Sequence, residues 1–424
     1  MQRRILILFC FLTACIAVTA RNFEEFFLPK ALRINYIHSG NKIEDKIDIK
    51  SFQVNEIWSG SLVNLIDTFD YGSNKIEVYD SKTNQLIYSR TYSSLFDEYR
   101  MTEEGEKKKK AFKETVLCPF PKNEVEIRFF TRTSFSDFSL RKSIIVNPQS
   151  LKTTPYRTKY TIEDLHIGNE EFNQAYDILI IPEGYAIEDS SRMRRDLLRC
   201  KQSLLNCRPF KDAATKINIR AVIAFSPQSG ISHEVKGKKV KTLLNSAFYS
   251  LDLERYLMLD HVWTLHDVCA DAPYDNILIL CNTKKYGGGG IYNWYAVVSD
   301  NQHFDYVLVH ELGHSIAGLA DEYYSSEVTV QDYYPADREP RSPNITSLVD
   351  FESKWKNMLA DDTPIPTPAR KQNKDRLGVY EGAGYCAKGL YRPYISCTMK
   401  DIVYDNFCPV CLKAFEDMFD FYAE

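Results

Sequence analysis

Three patterns of apolar and polar positions follow one another along the chain. Over residues 21–150 short runs alternate, as in Leu32-Arg33-Ile34-Asn35-Tyr36, Lys75-Ile76-Glu77-Val78-Tyr79 and Glu124-Val125-Glu126-Ile127-Arg128-Phe129. A period of two buries one face of a strand and wets the other. Clusters such as Tyr71-Gly72-Ser73-Asn74 separate the runs. The region is expected to form an N-terminal antiparallel β-sandwich of about seven strands. The lysines from Lys107 to Lys110 read as a solvated loop, and the stretch from Asn147-Pro148 to Pro155 as a linker.

Residues 151–424 read as a second domain, and over residues 156–320 its strands become apolar throughout. Ile178-Leu179-Ile180-Ile181, Ile217 to Phe225 and Ile277-Leu278-Ile279-Leu280 are continuous apolar or nearly apolar runs, expected of strands covered on both faces. Between the first two, Met193, Leu197, Cys200, Leu204 and Cys207 repeat at helical spacing behind a cap at Asp189 or Ser190. This second region is expected to be an α/β domain with a mixed sheet. Residues 325–378 are polar and broken by Pro335, Pro340, Pro343, Pro364, Pro366 and Pro368, so long loops with one short helix are expected. Asn344-Ile345-Thr346 is a glycosylation sequon, informative only in a eukaryotic host.

The first twenty residues form a third pattern. Arg3 and Arg4 precede an apolar run from Ile5 to Val18, and Val18-Thr19-Ala20 supplies small residues for cleavage. Residues 1–20 thus read as an export signal. Leu12-Thr13-Ala14-Cys15 also fits a bacterial lipobox, which would put a lipid anchor on Cys15. The two readings place the protein outside the cytoplasm, either secreted, periplasmic or held at an outer surface. No later run is long and apolar enough to be expected to span a membrane.

Composition narrows the function classes. The 424 residues carry 53 Lys+Arg against 57 Asp+Glu, which offers no basic excess for nucleic acid. Nine of the 11 cysteines lie beyond residue 20, and export would allow disulfides. Cys386, Cys397, Cys408 and Cys411 cluster late in the chain. They suit disulfides or buried thiols, with a structural zinc as the sharper alternative.

The stretch with the most chemistry is His310-Glu311-Leu312-Gly313-His314. Val307, Leu308, Leu312 and Ile316 give it an apolar helical face. On a helix, histidines four apart point the same way and can share one metal ion. Glu311 stands beside them, placed to take a proton from a water at the metal. A catalytic zinc takes three protein ligands and keeps one position open. Gly318 can end the helix in the left-handed conformation and return the chain, which brings up Asp321 as the expected third ligand, with Glu322 as its rival. His303 reads as a helix N-terminal residue. His38, His166, His233, His261 and His266 read as surface or satisfied core. Upstream, Tyr286-Gly287-Gly288-Gly289-Gly290-Ile291-Tyr292 lacks phosphate-loop spacing. It is read as a rim opening an edge strand, where a peptide could pair with Gly288, Gly289, Ile291 and Tyr292.

These residues resemble a known family. His310-Glu311-x-Gly313-His314 with Gly318 and Asp321-Glu322-Tyr323-Tyr324 is similar to the IgA-peptidase-like family, family sixty-four of the metallopeptidases. So are Tyr286-Gly287-Gly288, Ile291-Tyr292-Asn293, Arg255-Tyr256-Leu257, Glu381-Gly382-Ala383-Gly384-Tyr385, the run Lys388 to Pro393, and Cys397-Thr398-Met399. The likeness spans most of residues 25–415. It implies an α/β zincin catalytic domain, metzincin-like, and a secreted zinc endopeptidase with Zn²⁺ as cofactor and proteins or peptides as substrates. Met399 occupies the position of the Met-turn, an apolar floor beneath the metal. The Gly and the third ligand each fall one residue later than in HExxHxxGxxH, and that ligand is Asp rather than His. Tyr323, Tyr324, Tyr385 and Tyr391 all remain candidates for stabilising the oxyanion. The family takes its name from a member that cuts immunoglobulin A, so immunoglobulin A-like proteins are one substrate class the resemblance implies. The rival expectations are a non-peptidase zinc hydrolase on the same scaffold and a surface binding or adhesion protein with a vestigial site.

Overall fold

A computed structural model describes residues 22–132, 137–155, 159–233, 236–324, 334–335 and 337–423. The expected export signal, with Cys15, lies outside the described residues. The first region contains α1 (Phe23–Phe26), β1 (Phe27–Gly40), β2 (Asp45–Asn55), β3 (Asn74–Asp80), β4 (Leu86–Tyr92), α2 (Leu95–Tyr99), α3 (Glu103–Lys107), β5 (Lys110–Pro121), β6 (Val125–Thr131) and β7 (Ser139–Val146). The strands form two antiparallel sheets, ordered β2-β1-β5 and β4-β3-β6-β7. Alternation in β6 puts Val125, Ile127 and Phe129 into a core shared with Leu32, Ile34 and Tyr36 of β1. The four lysines at 107–110 are exposed, as their charge requires.

A charged cluster sits inside this region. His38 contacts Glu114 Oε2 through Nδ1 at 2.9 Å and Asp45 Oδ1 through Nε2 at 2.8 Å. Arg100 and Thr131 bond the other Asp45 oxygen at 2.9 and 2.6 Å. Burial disfavours a charged His38, but Glu114 and Asp45 outweigh it and push the imidazole up to about 10. Burial likewise opposes an ionised Asp45, and bonds from His38 and Thr131 with the Arg100 charge bring it down to about 2.

The second region contains β8 (Thr161–Ile167), β9 (Tyr176–Glu183), α4 (Ser190–Asn206), β10 (Ile217–Ile223), α5 (Val262–Cys269), β11 (Asn276–Cys281), β12 (Gly288–Ile291), β13 (Tyr295–Ser299), α6 (Phe304–Ala317), β14 (Tyr380–Ala383), β15 (Cys386–Arg392) and α7 (Pro409–Ala423). Its main sheet runs β12-β13-β11-β9-β10-β8. The four inner strands are parallel and both edges antiparallel. The continuous apolar runs are divided by the pleat between two cores. Ile178, Ile180, Leu278, Leu280, Ala296 and Val298 face α4, α6 and α7, while Leu179, Ile181, Ile277, Ile279, Tyr295 and Val297 face the side of α5.

Residues 325–378 differ from the expectation of one short helix. Their described part has three short 3₁₀ turns, at Phe351–Ser353, Lys356–Met358 and Lys371–Asn373. Dense prolines cut the segment into pieces too short for an α-helix. Asn344 of the sequon is fully buried. Its side chain bonds the Ala320 amide and carbonyl, both at 2.8 Å, so the folded chain does not offer it for glycosylation.

The two regions meet behind the β12–β13 hairpin. Arg90 donates to the Asn293 carbonyl at 2.9 Å, Asn293 to the Thr91 carbonyl at 2.8 Å, and the Ser93 amide to the Tyr292 carbonyl at 3.0 Å. Arg33 pairs with Asp267 at 2.7 Å.

The charged cluster sets a pH response. His38 gains its partners on folding, so its stabilisation is complete below about pH 6.5, the unfolded value, and is lost as pH rises toward about 10. Denaturant titrations should show the wild type weakening across that alkaline window. The variant His38→Ala, with Glu114 left buried and unpaired, should lose about 3–5 kcal/mol near neutrality and lack the alkaline slope. Equal slopes in both proteins would refute this assignment.

Candidate metal centre

The helix α6 carries His310, Glu311 and His314 and ends where the sequence suggests. Gly318 has φ +62° and caps the helix in the left-handed conformation. A second constraint acts there: a Cβ on Gly318 would come 2.7 Å from the Tyr71 ring of the first region. The chain can therefore turn back, and it returns Asp321 to the two histidines.

Three donor atoms converge. His310 Nε2 and His314 Nε2 are 3.2 Å apart, and Asp321 Oδ1 lies 3.1 Å from the first and 3.4 Å from the second. Ligands at about 2.0–2.1 Å from a tetrahedral zinc stand about 3.3–3.4 Å from one another, which matches this triangle. The other ring nitrogens fix the tautomers. His310 Nδ1 donates to the Thr398 carbonyl at 3.1 Å and His314 Nδ1 to the Leu319 carbonyl at 2.6 Å. Both Nε2 atoms then present lone pairs to one point, the arrangement of metal-ligating histidines. Asp321 Oδ1 is buried with no hydrogen-bond partner, while Oδ2 accepts from the Tyr385 hydroxyl. An orphaned carboxylate oxygen beside two lone pairs is costly unless a cation sits among them. The donor set suits zinc.

The surroundings support the three donors. Met399 is fully buried, and its sulfur lies 2.8 Å from where a Cβ on Gly313 would stand, so only a glycine leaves it that close to the helix. Burial pushes the Glu311 carboxyl above the usual range, and the two imidazoles pull it back. A Cβ on Gly288 would stand 2.9 Å from Glu311 Oε1, and one on Gly290 would fall on the Glu311 carbonyl oxygen. The glycine run thus lets β12 lie directly on α6.

The expected substrate residues fare unevenly. β12 is one of the sheet's two antiparallel edge strands. At Gly288, however, the amide donates to the Arg255 carbonyl at 3.3 Å and the carbonyl accepts from Leu257 at 3.2 Å. Ile291 and Tyr292 turn their side chains into the cores rather than toward a cleft. Gly289 faces Tyr256 and Met258.

Other side chains lie around the three donors. Of the four candidate tyrosines, Tyr385 bonds Asp321 and packs on Tyr323 with ring centres 5.3 Å apart, whereas Tyr324 is exposed over Arg392. Glu98 of α2 reaches the same neighbourhood. Burial raises its carboxyl to about 7 against the hydrogen bond donated by Tyr256. His303 precedes α6 as its N-cap residue and is no part of the triangle. Glu322, the rival to Asp321, points away toward Cys397, Cys408 and Cys411.

Tyr385→Phe removes the bond that orients Asp321. It should weaken metal binding by about 10–100-fold, read by competition with a chelator. An unchanged affinity would show that the hydroxyl does not position this carboxylate.

Comparison with known families agrees with the site. The family model described as IgA Peptidase M64 matches residues 169–377 and 369–419, and the model described as Peptidase M64 N-terminus matches residues 22–141. No curated protein matches the chain. The first family model covers α6, the Asp321 turn and the Met399 segment, and by these matches the chain belongs to the IgA Peptidase M64 family of metallopeptidases.

Proposed function

We propose that the chain is an exported zinc endopeptidase of the zincin type, with a β-sandwich over residues 21–150 and a catalytic domain over residues 151–424. Residues 1–20 act as the export signal, with Cys15 as the point of lipid attachment if the protein is held at a surface. The observation that carries this reading is the triangle of His310 Nε2, His314 Nε2 and Asp321 Oδ1 with Glu311 on the same helix. A lone antiparallel edge strand over that helix and a methionine packed against Gly313 support the zincin assignment.

His310, His314 and Asp321 would hold the ion. When bound, zinc supplies a Lewis acid that polarises the scissile carbonyl and eases ionisation of water. The remaining chemistry belongs to side chains. Glu311 takes the proton of the attacking water and returns it to the leaving amine. Burial raises its proton affinity above that of an exposed carboxylate. The carbonyls of Thr398 and Leu319 hold the imidazoles in one tautomer, and Tyr385 holds the carboxylate.

A peptide backbone would align along β12. The pairing of Gly288 with Arg255 and Leu257 limits that alignment to the rest of the strand. Recognition of Ile291 and Tyr292 would be through their main chain, since their side chains are buried. Proteins outside the cytoplasm, immunoglobulin A-like proteins among them, are the proposed substrates.

Glu311→Gln tests the role of the base. On a protein panel that includes immunoglobulins, it should lower kcat by about 10²–10⁴-fold while metal content stays at the parent level. Undiminished cleavage would overturn the assignment, and cleavage of no protein by the parent would overturn the endopeptidase reading.

A further inference from the structure

A second group of donors lies behind the metal centre. Cys397, Cys408, Cys411 and Glu322 offer ligand atoms that all fall within 4.8 Å of one another, and all four residues are buried. Cys397 Sγ is 3.7 Å from Cys411 Sγ, and Cys408 Sγ is 3.5 Å from Cys411 Sγ. Glu322 Oε1 is 3.5 Å from Cys411 Sγ. A disulfide needs sulfurs about 2.05 Å apart. Four-coordinate zinc with Zn–S of about 2.3 Å separates its sulfurs by about 3.8 Å. The observed spacings belong with the second geometry.

The carboxylate gives an independent sign. Glu322 is fully buried, and its Oε2 has no hydrogen-bond partner. Asn344 donates to Oε1 at 3.0 Å and orients the group. A carboxylate kept out of water beside three thiols, with one oxygen unsatisfied, is unfavourable unless a cation joins them. The protein lowers the cost of collecting such charge. Cys408 and Cys411 flank the start of α7, whose N-terminus favours thiolates. The Cys408 amide donates to Cys397 Sγ at 3.4 Å, and the buried Arg392 is near enough for its charge to act on Glu322.

We propose that Cys397, Cys408, Cys411 and Glu322 bind a second zinc ion, a structural one. The site is closed, since all four positions are filled by protein. Its place in the chain gives it a task. Glu322 follows Asp321, and its amide donates to the Met399 carbonyl at 2.8 Å. Cys397 precedes Thr398, whose carbonyl holds His310, and Met399, which packs against Gly313. One ion at this site ties the turn bearing Asp321, the Met399 segment and α7 into a single unit. The late cysteine cluster of the sequence is thus only partly used: Cys386 lies in a separate small core with Leu390.

Metal analysis of the intact protein tests this. Full-length wild type should hold two zinc ions per chain, and His310→Ala/His314→Ala should hold one. Loaded with cobalt, that double variant should still show thiolate-to-cobalt charge-transfer absorption, which histidines and a carboxylate cannot produce. Cys411→Ser should lose that absorption, and with it protection of Cys397 and Cys408 from alkylation. The double variant leaves every cysteine in place, so the result does not depend on a cysteine variant folding. One zinc in the wild type, a metal-free double variant, absence of the charge-transfer band, or a Cys408–Cys411 disulfide in native mass spectra would each overturn the proposal.

Discussion

Two imidazole nitrogens and one carboxylate oxygen, each with a lone pair aimed at the same point, are the constraint around which the molecule is arranged. Left alone, such atoms repel one another or trap protons. Burial raises the stakes: it opposes charge on His314, yet Asp321 lifts that ring to about 9, while the imidazoles hold Asp321 well below the usual carboxylate range. Without an ion the three groups hold a proton between them, and a bound cation takes that proton's place, since ligating imidazoles must be neutral. Much of the surrounding backbone orients these three groups.

The orientation is distributed widely through the sequence. The glycine run brings β12 onto α6, and Gly313 admits Met399 beneath it. Tyr71 of the antiparallel first region packs on Gly318, so the turn that delivers Asp321 is set partly by a segment far upstream. Asn344 bonds the Ala320 amide and carbonyl on one side of that turn and the Glu322 carboxylate on the other. Together with the contacts of Arg90, Thr91 and Ser93 to the β12–β13 hairpin, the Tyr71 contact makes the first region one wall of the centre's support.

Some of this was legible in the sequence because its physics is local. The i, i+4 spacing of His310 and His314 fixes their common direction, Gly318 announces the helix end, and the apolar runs of β9, β10 and β11 announce a sheet covered twice. Asp321 could be named from its distance beyond the turn, but its choice over Glu322 needed the backbone, which sends adjacent carboxylates to different sites. Tyr385, the Thr398 carbonyl and Tyr71 join the centre through space, and no periodicity marks them. Ile291 and Tyr292 show the reverse. The motif around them was visible, yet only packing reveals that their side chains belong to the cores.

Diffraction recorded on either side of the zinc absorption edge, from crystals of the untreated full-length protein, tests the central claim most directly. An anomalous peak is expected within bonding distance of His310 Nε2, His314 Nε2 and Asp321 Oδ1, at about 2.0–2.2 Å from each. No peak at that point, with the two rings rotated apart, would contradict it.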